Sequence, residues 1–138
     1  MEDKEREAQE MYMEFQAIEA QMRQLQSQLE IITHQLVELT VASNSLDELS
    51  KINEGREIFV PLSSGIFAKA SLKDKSELLV NVGANVAVKK DIPSTKILLQ
   101  NQIEEIKKVQ HQLVSELERR ANHAAQVESQ LQGLMQQG

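Results

Sequence analysis

Glycine and proline are confined to one central stretch of this 138-residue sequence, apart from two glycines near its end. Residues 1–54 contain neither residue type, and residues 94–132 contain neither. Both residue types weaken helix interiors, so segments of about 40 residues that lack them can form long uninterrupted helices. The distribution predicts three parts: an N-terminal coiled-coil helix at 1–54, a β-rich middle at 55–92 and a C-terminal coiled-coil helix at 93–138.

Apolar residues in the first segment recur in alternating steps of four and three. This 3.5-residue period is typical of a coiled-coil seam. After Leu39 the seam shifts to Leu46, Leu49 and Ile52, and Gly55 is expected to adopt the left-handed conformation that ends many helices. The regular seam consists of Met11, Phe15, Ile18, Met22, Leu25, Leu29, Ile32, Leu36 and Leu39.

The last segment keeps the same alternation, with polar residues at Gln110 and Arg120. Polar residues weaken a seam but fix its register. Pro93 and Ser94 mark the start of this helix, although the sequence leaves its capping residue open. Two seams of similar length, joined by a compact insert, predict a long antiparallel two-helix coiled coil. The second seam consists of Leu99, Ile103, Ile106, Gln110, Leu113, Leu117, Arg120, Ala124, Val127, Leu131 and Leu134.

The middle segment alternates apolar and polar residues with a period of two, which predicts two β-hairpins with short turns at 63–65 and 83–85. Four strands are too few to close a barrel, and an open four-stranded patch leaves two edges whose backbone groups can pair with another chain. The hairpins are therefore expected to assemble with other subunits into an intersubunit barrel. The candidate oligomerisation residues are Ile58, Val60, Leu62, Ile66, Leu78, Val80, Val82, Val86 and Val88, with Ala68 and Ala70 continuing the first hairpin.

This order of helix, two hairpins and helix resembles the prefoldin family, specifically its α-type subunits, because β-type subunits have one hairpin. Residues 60–65, Val-Pro-Leu-Ser-Ser-Gly, resemble the first hairpin motif, with Phe67 and Ala68 following. Residues 78–90 resemble the second motif. Here Asn81 replaces a frequent acid, and Val86 and Ala87 replace aromatic residues, which leaves the turn chemistry unchanged but bears on barrel packing.

The resemblance implies an ATP-independent molecular chaperone of the archaeal type. Its partners would be prefoldin β subunits, in a heterohexamer of two α and four β subunits built on a double β-barrel. Six coiled coils would project from that platform and hold unfolded polypeptides at their tips. The complex would then deliver the captured chains to a group II chaperonin.

The five methionines, at positions 1, 11, 13, 22 and 135, lie in the distal part of the expected hairpin. Methionine is flexible and polarisable, so it can adapt to many apolar shapes. Tyr12 and Met13 lie off the seam and are expected to be exposed. Ordinary coiled-coil packing is the alternative reading for Met11 and Met22. The end of a two-helix coil is also expected to fray, leaving Val127, Leu131, Leu134 and Met135 partly open to water. The candidate substrate-binding residues are Met11, Tyr12, Met13, Phe15, Ile18, Met22, Val127, Leu131, Leu134 and Met135.

Composition and motifs exclude several other functions. The net charge is −6 and the pI is near 5.1, which disfavours nucleic acid and anionic membranes as partners. The absence of cysteine excludes disulfides and thiolate metal sites. The sequence contains no phosphate-binding loop, nucleophile motif or membrane-length apolar run. His34, His111 and His123 lack ligand spacing and are expected to be solvated. We therefore predict a cytoplasmic protein with no cofactor, no metal and no catalytic residues.

A second function remains open from the sequence. A structural or tethering coiled coil could use the same hairpins to dock a fixed partner. Such a tether should present a defined recognition patch, whereas the helix ends offer scattered Met, Tyr, Phe and Leu side chains. The composition of the ends therefore favours the chaperone.

Overall fold

A computed structural model of the chain describes residues 2–136 and confirms a mainly α fold with two small hairpins. Within these residues the chain forms two compact units, one from residues 2–36 with 106–136 and the other from residues 37–105. The elements are α1 (Glu2–Lys51), β1 (Glu57–Ser63), β2 (Ile66–Ser71), β3 (Leu78–Gly83), β4 (Val86–Lys90) and α2 (Ile92–Gln136).

The first unit is an antiparallel pair formed by the N-terminal part of α1 and the C-terminal part of α2. Glu14 faces His123, and Thr33 faces Gln110, so positions on the two helices run in opposite directions. Every seam position that the sequence predicts in this unit is buried or half-buried, including the polar Gln110 and Arg120. The 3.5-residue pattern therefore identifies the packed face of both helices correctly.

In the second unit, α1 ends at Lys51, and its last carbonyls are satisfied by a side chain from the link between the hairpins. The ammonium group of Lys75 donates to the carbonyl oxygens of Ser50, at 3.0 Å, and Ile52, at 2.9 Å. A cation at this position also complements the negative end of the helix dipole. Gly55 has the expected positive φ of 86°, but it lies beyond the helix end. The prediction that it ends the helix is wrong, because it forms the turn into β1 instead.

The start of α2 is capped by Asp91, the residue that the sequence left undetermined. Its carboxylate accepts a hydrogen bond from the Ser94 backbone N–H at 2.8 Å. The hydroxyl and backbone N–H of Ser94 lower the pKa of Asp91 from its ordinary value of 3.8. Lys96, one turn further on, forms an ion pair with Asp47 that joins α2 to the end of α1.

The four strands form two separate two-stranded antiparallel sheets, β1–β2 and β3–β4. The prediction of two β-hairpins is therefore confirmed, and the hairpins do not join into one four-stranded sheet. In both hairpins the pairing shifts by one residue before the turn, between Pro61 and Ser63 in the first and between Asn81 and Gly83 in the second. Each sheet has two strands, so the outer edge of each strand has no partner in the described part of the chain. Each sheet can therefore be extended on either side by a strand from another chain.

The second turn is stabilised by the Asn81 side chain. The Asn81 side-chain oxygen accepts a hydrogen bond from the Gly83 backbone N–H at 2.9 Å, as a carboxylate could. Ala84 and Asn85 then both have positive φ, 52° and 60°, which is the conformation of a tight hairpin turn. The expectation that this change leaves the turn chemistry intact is consistent with this geometry.

Candidate binding surfaces

A small core holds the distal helices of the first unit together. Ile18 and Val127 are each 3% exposed and pack with Ala124, which is 9% exposed. The expectation that Val127 is partly open to water is therefore wrong, because the opposite helix covers it. Three of the other predicted contact residues are half-buried against this core: Met11, Phe15 and Met22. In this chain these positions, with Ile18, first serve coiled-coil packing.

Beside that core, an open groove of about 650 Å³ runs between the two helices. Its apolar surface comes chiefly from Tyr12, Met13, Leu131 and Met135. Tyr12 is 53% exposed, Met13 is 67% exposed and Met135 is 72% exposed, as expected for residues off the seam. We call this feature the distal groove; its lining residues are Ala8, Gln9, Tyr12, Met13, Gln16, Leu131 and Met135.

The distal groove therefore gathers only part of the candidate set. It includes four of the ten predicted residues, while Leu134 is half-buried and does not line it. The sequence reasoning missed Ala8, Gln9 and Gln16, which complete the groove. Heptad numbering could have found Gln9 and Gln16, because they are seven residues apart and lie beside Tyr12 and Met13 on one side of the helix.

Polar contacts between the helices fix their alignment in this unit. Nε2 of His123 lies 3.2 Å from Oε1 of Glu14, a partner that sequence spacing did not reveal. The Gln110 amide donates to the Thr33 hydroxyl at 3.3 Å. Arg120, the second polar seam residue, is held by Glu116 on its own helix at 3.0 Å. The Glu14–His123 and Thr33–Gln110 contacts join the two helices and favour one alignment over a slipped one.

The hairpins form a second candidate surface. In the first hairpin, Ile58 and Val60 lie opposite Ala70 and Ala68, and this face is only partly covered. Leu62, at the irregular position before the turn, is 70% exposed, and Ile66 is 56% exposed. A two-stranded hairpin cannot bury such residues by itself, and they are available for contacts with other chains.

The other face of this hairpin is also apolar, which the sequence analysis did not recognise. Phe59 is 68% exposed and Phe67 is 61% exposed, and Pro61 lies directly opposite Phe67. An ion pair of 3.2 Å between Lys69 and Glu57 borders this patch. The signal was present in the sequence, because Phe59, Pro61 and Phe67 alternate with the residues assigned to the first face.

The second hairpin is apolar mainly on one of its two faces. Val80 lies opposite Val88, and both are half-buried with Leu78. Val82 and Val86 near the turn are 48% and 51% exposed. On its other face Leu79 is exposed, but Asn81 and Lys89 are polar neighbours. The predicted oligomerisation residues thus lie on the hairpins where a neighbouring chain can reach many of them.

Two further searches concern metal and membrane binding. Within residues 2–136 there is no group of three or more His, Cys, Asp or Glu side chains that could hold a metal ion. No helix in this range is long and apolar enough to cross a membrane.

Comparisons with known proteins match one family over most of the chain. The family model described as "Prefoldin: Prefoldin subunit" matches residues 18–137. A prefoldin subunit alpha from Pyrococcus horikoshii is 32% identical over 132 residues, which cover 92% of this chain and 88% of that protein. A prefoldin subunit alpha from Methanococcus aeolicus is 28% identical over 130 residues, which cover 94% and 88% of the two chains.

A solved structure shares the fold. It is a cryo-EM structure of filamentous PFD from Methanocaldococcus jannaschii, and it matches with a TM-score of 0.69 at 16% sequence identity. The match covers 90% of this chain and 97% of the other. At this level of identity the likeness concerns the arrangement of helices and hairpins.

Proposed function

Because this chain belongs to the prefoldin family, we propose that it is an α-type subunit that holds non-native polypeptides and delivers them to a group II chaperonin. It acts in the cytoplasm and needs no ATP. The observation that carries the proposal is the distal groove, where Tyr12, Met13 and Met135 remain exposed beside a packed core. A chain with these side chains in water has an apolar surface available for a partner.

The chemistry of the distal groove suits partners without a fixed shape. Methionine has three rotatable side-chain bonds, so Met13 and Met135 can follow different apolar surfaces. Tyr12 adds a large ring with a hydroxyl that can remain hydrated. The groove is open to solvent, so each contact is expected to be weak. Several such grooves on one platform increase retention through effective concentration.

The hairpins are proposed to build that platform, in a heterohexamer of two α-type and four β-type subunits. Support comes from the unpaired edges of both sheets and from exposed apolar residues such as Leu62 and Ile66. Strands from neighbouring subunits would satisfy these edges and cover these side chains. In this proposal residues 55–92 serve assembly, and the helices before and after them serve substrate binding.

A surface variant tests the holding function without disturbing the core. Tyr12→Ser, Met13→Ser and Met135→Ser, combined, should lose most of the ability to suppress aggregation of a chemically denatured client, measured by light scattering. The matched control combines Ile31→Ser, Val37→Ser and Val41→Ser, which are similarly exposed positions on α1 outside the groove. Equal suppression by both variants and by the unmodified chain would contradict the proposal. A chain that acts only as a tether gives no suppression in any form.

A further inference from the structure

The distal groove is bordered by charged residues whose positions follow from helix geometry. Residues seven apart lie on the same side of a coiled-coil helix and about 10 Å apart along it. Glu5 and Glu19 lie one heptad before and after Tyr12, and Glu128 lies one heptad before Met135. We define the groove border as the exposed charged residues one heptad from a lining residue: Glu2, Glu5, Arg6, Glu19, Arg23 and Glu128.

Acidic residues predominate in this border, with four carboxylates against two guanidinium groups. Within residues 2–136, Glu5, Glu19 and Glu128 form no ion pair or hydrogen bond with another side chain. Within the described residues these three carboxylates therefore have no side-chain partner that a bound segment would have to displace. Carboxylates stand at both ends of the apolar lining, with Glu5 and Glu19 about 21 Å apart along α1.

This arrangement selects among possible occupants. A second copy of the same helix end would bring its own acidic border against this one, and an anionic membrane would be repelled in the same way. A polypeptide segment with basic residues on both sides of an apolar stretch complements both the apolar lining and the acidic border of the distal groove. Its apolar side chains can cover Tyr12, Met13 and Met135, while its cations meet the carboxylates.

We propose that the distal groove preferentially binds polypeptide segments in which an apolar stretch is flanked by lysine or arginine, and disfavours the same stretch flanked by acids. This inference rests on the proposed holding function and adds a substrate class to it. The apolar contact provides the basic affinity, and the groove border provides the discrimination.

The expected preference in affinity is modest because the charged residues of the groove border are exposed to water. Each exposed ion pair contributes a factor of about 1.5 to 5 in affinity. Three such pairs give a preference of roughly tenfold for basic over neutral flanks at low ionic strength. The preference should shrink at high ionic strength because salt screens exposed charges.

The test uses the full-length chain and three labelled peptides with one shared apolar core, flanked by lysine, serine or glutamate. Their dissociation constants are measured by fluorescence anisotropy at low and high ionic strength. We expect the lysine-flanked peptide to bind roughly tenfold more tightly than the serine-flanked one, because three exposed pairs contribute. The glutamate-flanked peptide should bind most weakly.

Two charge variants test whether the groove border causes the preference for lysine-flanked peptides. Glu5→Gln, Glu19→Gln and Glu128→Gln, combined, should remove most of the preference while leaving binding of the serine-flanked peptide unchanged. The matched control combines Asp3→Asn, Glu7→Gln and Glu10→Gln, which remove the same charge on the far side of α1. The control should keep most of the preference.

The outcomes separate this inference from the function on which it rests. Equal binding of all three peptides overturns the charge preference and leaves the holding function standing. An equal loss of preference in both charge variants assigns the effect to the overall charge of the helix end and overturns a role for the groove border. Failure of every peptide to bind overturns the inference, whereas the light-scattering experiment with Tyr12→Ser, Met13→Ser and Met135→Ser decides the proposed function separately.

Discussion

At the scale of single residues, a few side chains fix where each helix begins and ends. Lys75 closes the end of α1 from the link between the hairpins, 25 positions from Ser50 in sequence. Asp91 caps α2 through Ser94. Both contacts satisfy backbone groups that a helix end leaves without partners. The hairpins are thus attached to helices whose ends are well defined.

The cap at Asp91 predicts a pH dependence of stability. Because its pKa is lower in the folded chain, the charged cap stabilises the fold above about pH 4, and this contribution is lost as the pH falls through the folded-state pKa. Asp91→Asn retains a good capping residue but removes the titration. Urea unfolding, followed by circular dichroism at pH 7 and pH 3, should show a larger stability advantage of the wild-type chain over Asp91→Asn at pH 7 than at pH 3. A difference of equal size at both pH values would contradict this role.

The packing of a side chain could be predicted from the sequence where periodicity determines it. It could not be predicted where contacts with distant residues determine it. The heptad pattern placed Ile18 and the other seam residues on the packed face. It also placed Val127 there, and only the separate expectation of fraying at the helix ends was wrong for this residue, because fraying depends on how far the antiparallel pairing extends. The pattern could not find the Lys75 contact, which depends on the path of a short link between the two sheets.

At the scale of elements, the distal helix pair depends on very few buried residues. Among the described residues of this pair, only Ile18, Ala124 and Val127 are buried. A narrow seam leaves little redundancy, so each core contact should matter. The groove residues lie beside this core, and their positions depend on it.

Ile18→Ala should therefore destabilise the helix pair by about 3 kcal/mol, through lost apolar burial and a cavity against Val127. The chain offers a control of the same residue type: Ile31, on the same helix, is 59% exposed. Ile31→Ala should change the free energy of unfolding by less than about 0.5 kcal/mol. Thermal unfolding followed by circular dichroism compares the two. Similar losses for both substitutions would show that the seam assignment is wrong.

The hairpins illustrate how far strand patterns can be predicted. Period-two alternation located all four strands and both turns. It did not reveal the shift in pairing before each turn, because that shift depends on local backbone geometry. It also did not reveal that the two sheets are separate, since strand pairing between hairpins is not encoded in either one alone.

At the scale of the whole molecule, the proposal joins assembly at the hairpins to holding at the distal groove. Val80→Asp tests the assembly role, because it places a charge on the half-buried face opposite Val88. We expect the proposed complex with β-type subunits to dissociate, as measured by native mass spectrometry. Burial of an unpaired carboxylate in an interface is the physical reason.

Asn81→Asp is the matched control for this experiment. It adds the same charge one residue later, on the opposite face of β3, and can preserve the hydrogen bond to the Gly83 N–H. This variant should assemble normally. A complex that stays intact with Val80→Asp would count against the barrel, and dissociation of both variants would show that added charge alone is disruptive.

The most direct test of the central claim is site-specific photo-crosslinking to a denatured client. A benzophenone side chain is introduced in place of Tyr12, Met135 or, as an exposed control on α1 outside the groove, Val41. Crosslinked products are quantified by mass spectrometry after irradiation. The account predicts strong adducts from positions 12 and 135 and background levels from position 41. Equal adducts from position 41, or none from the groove positions, would contradict it.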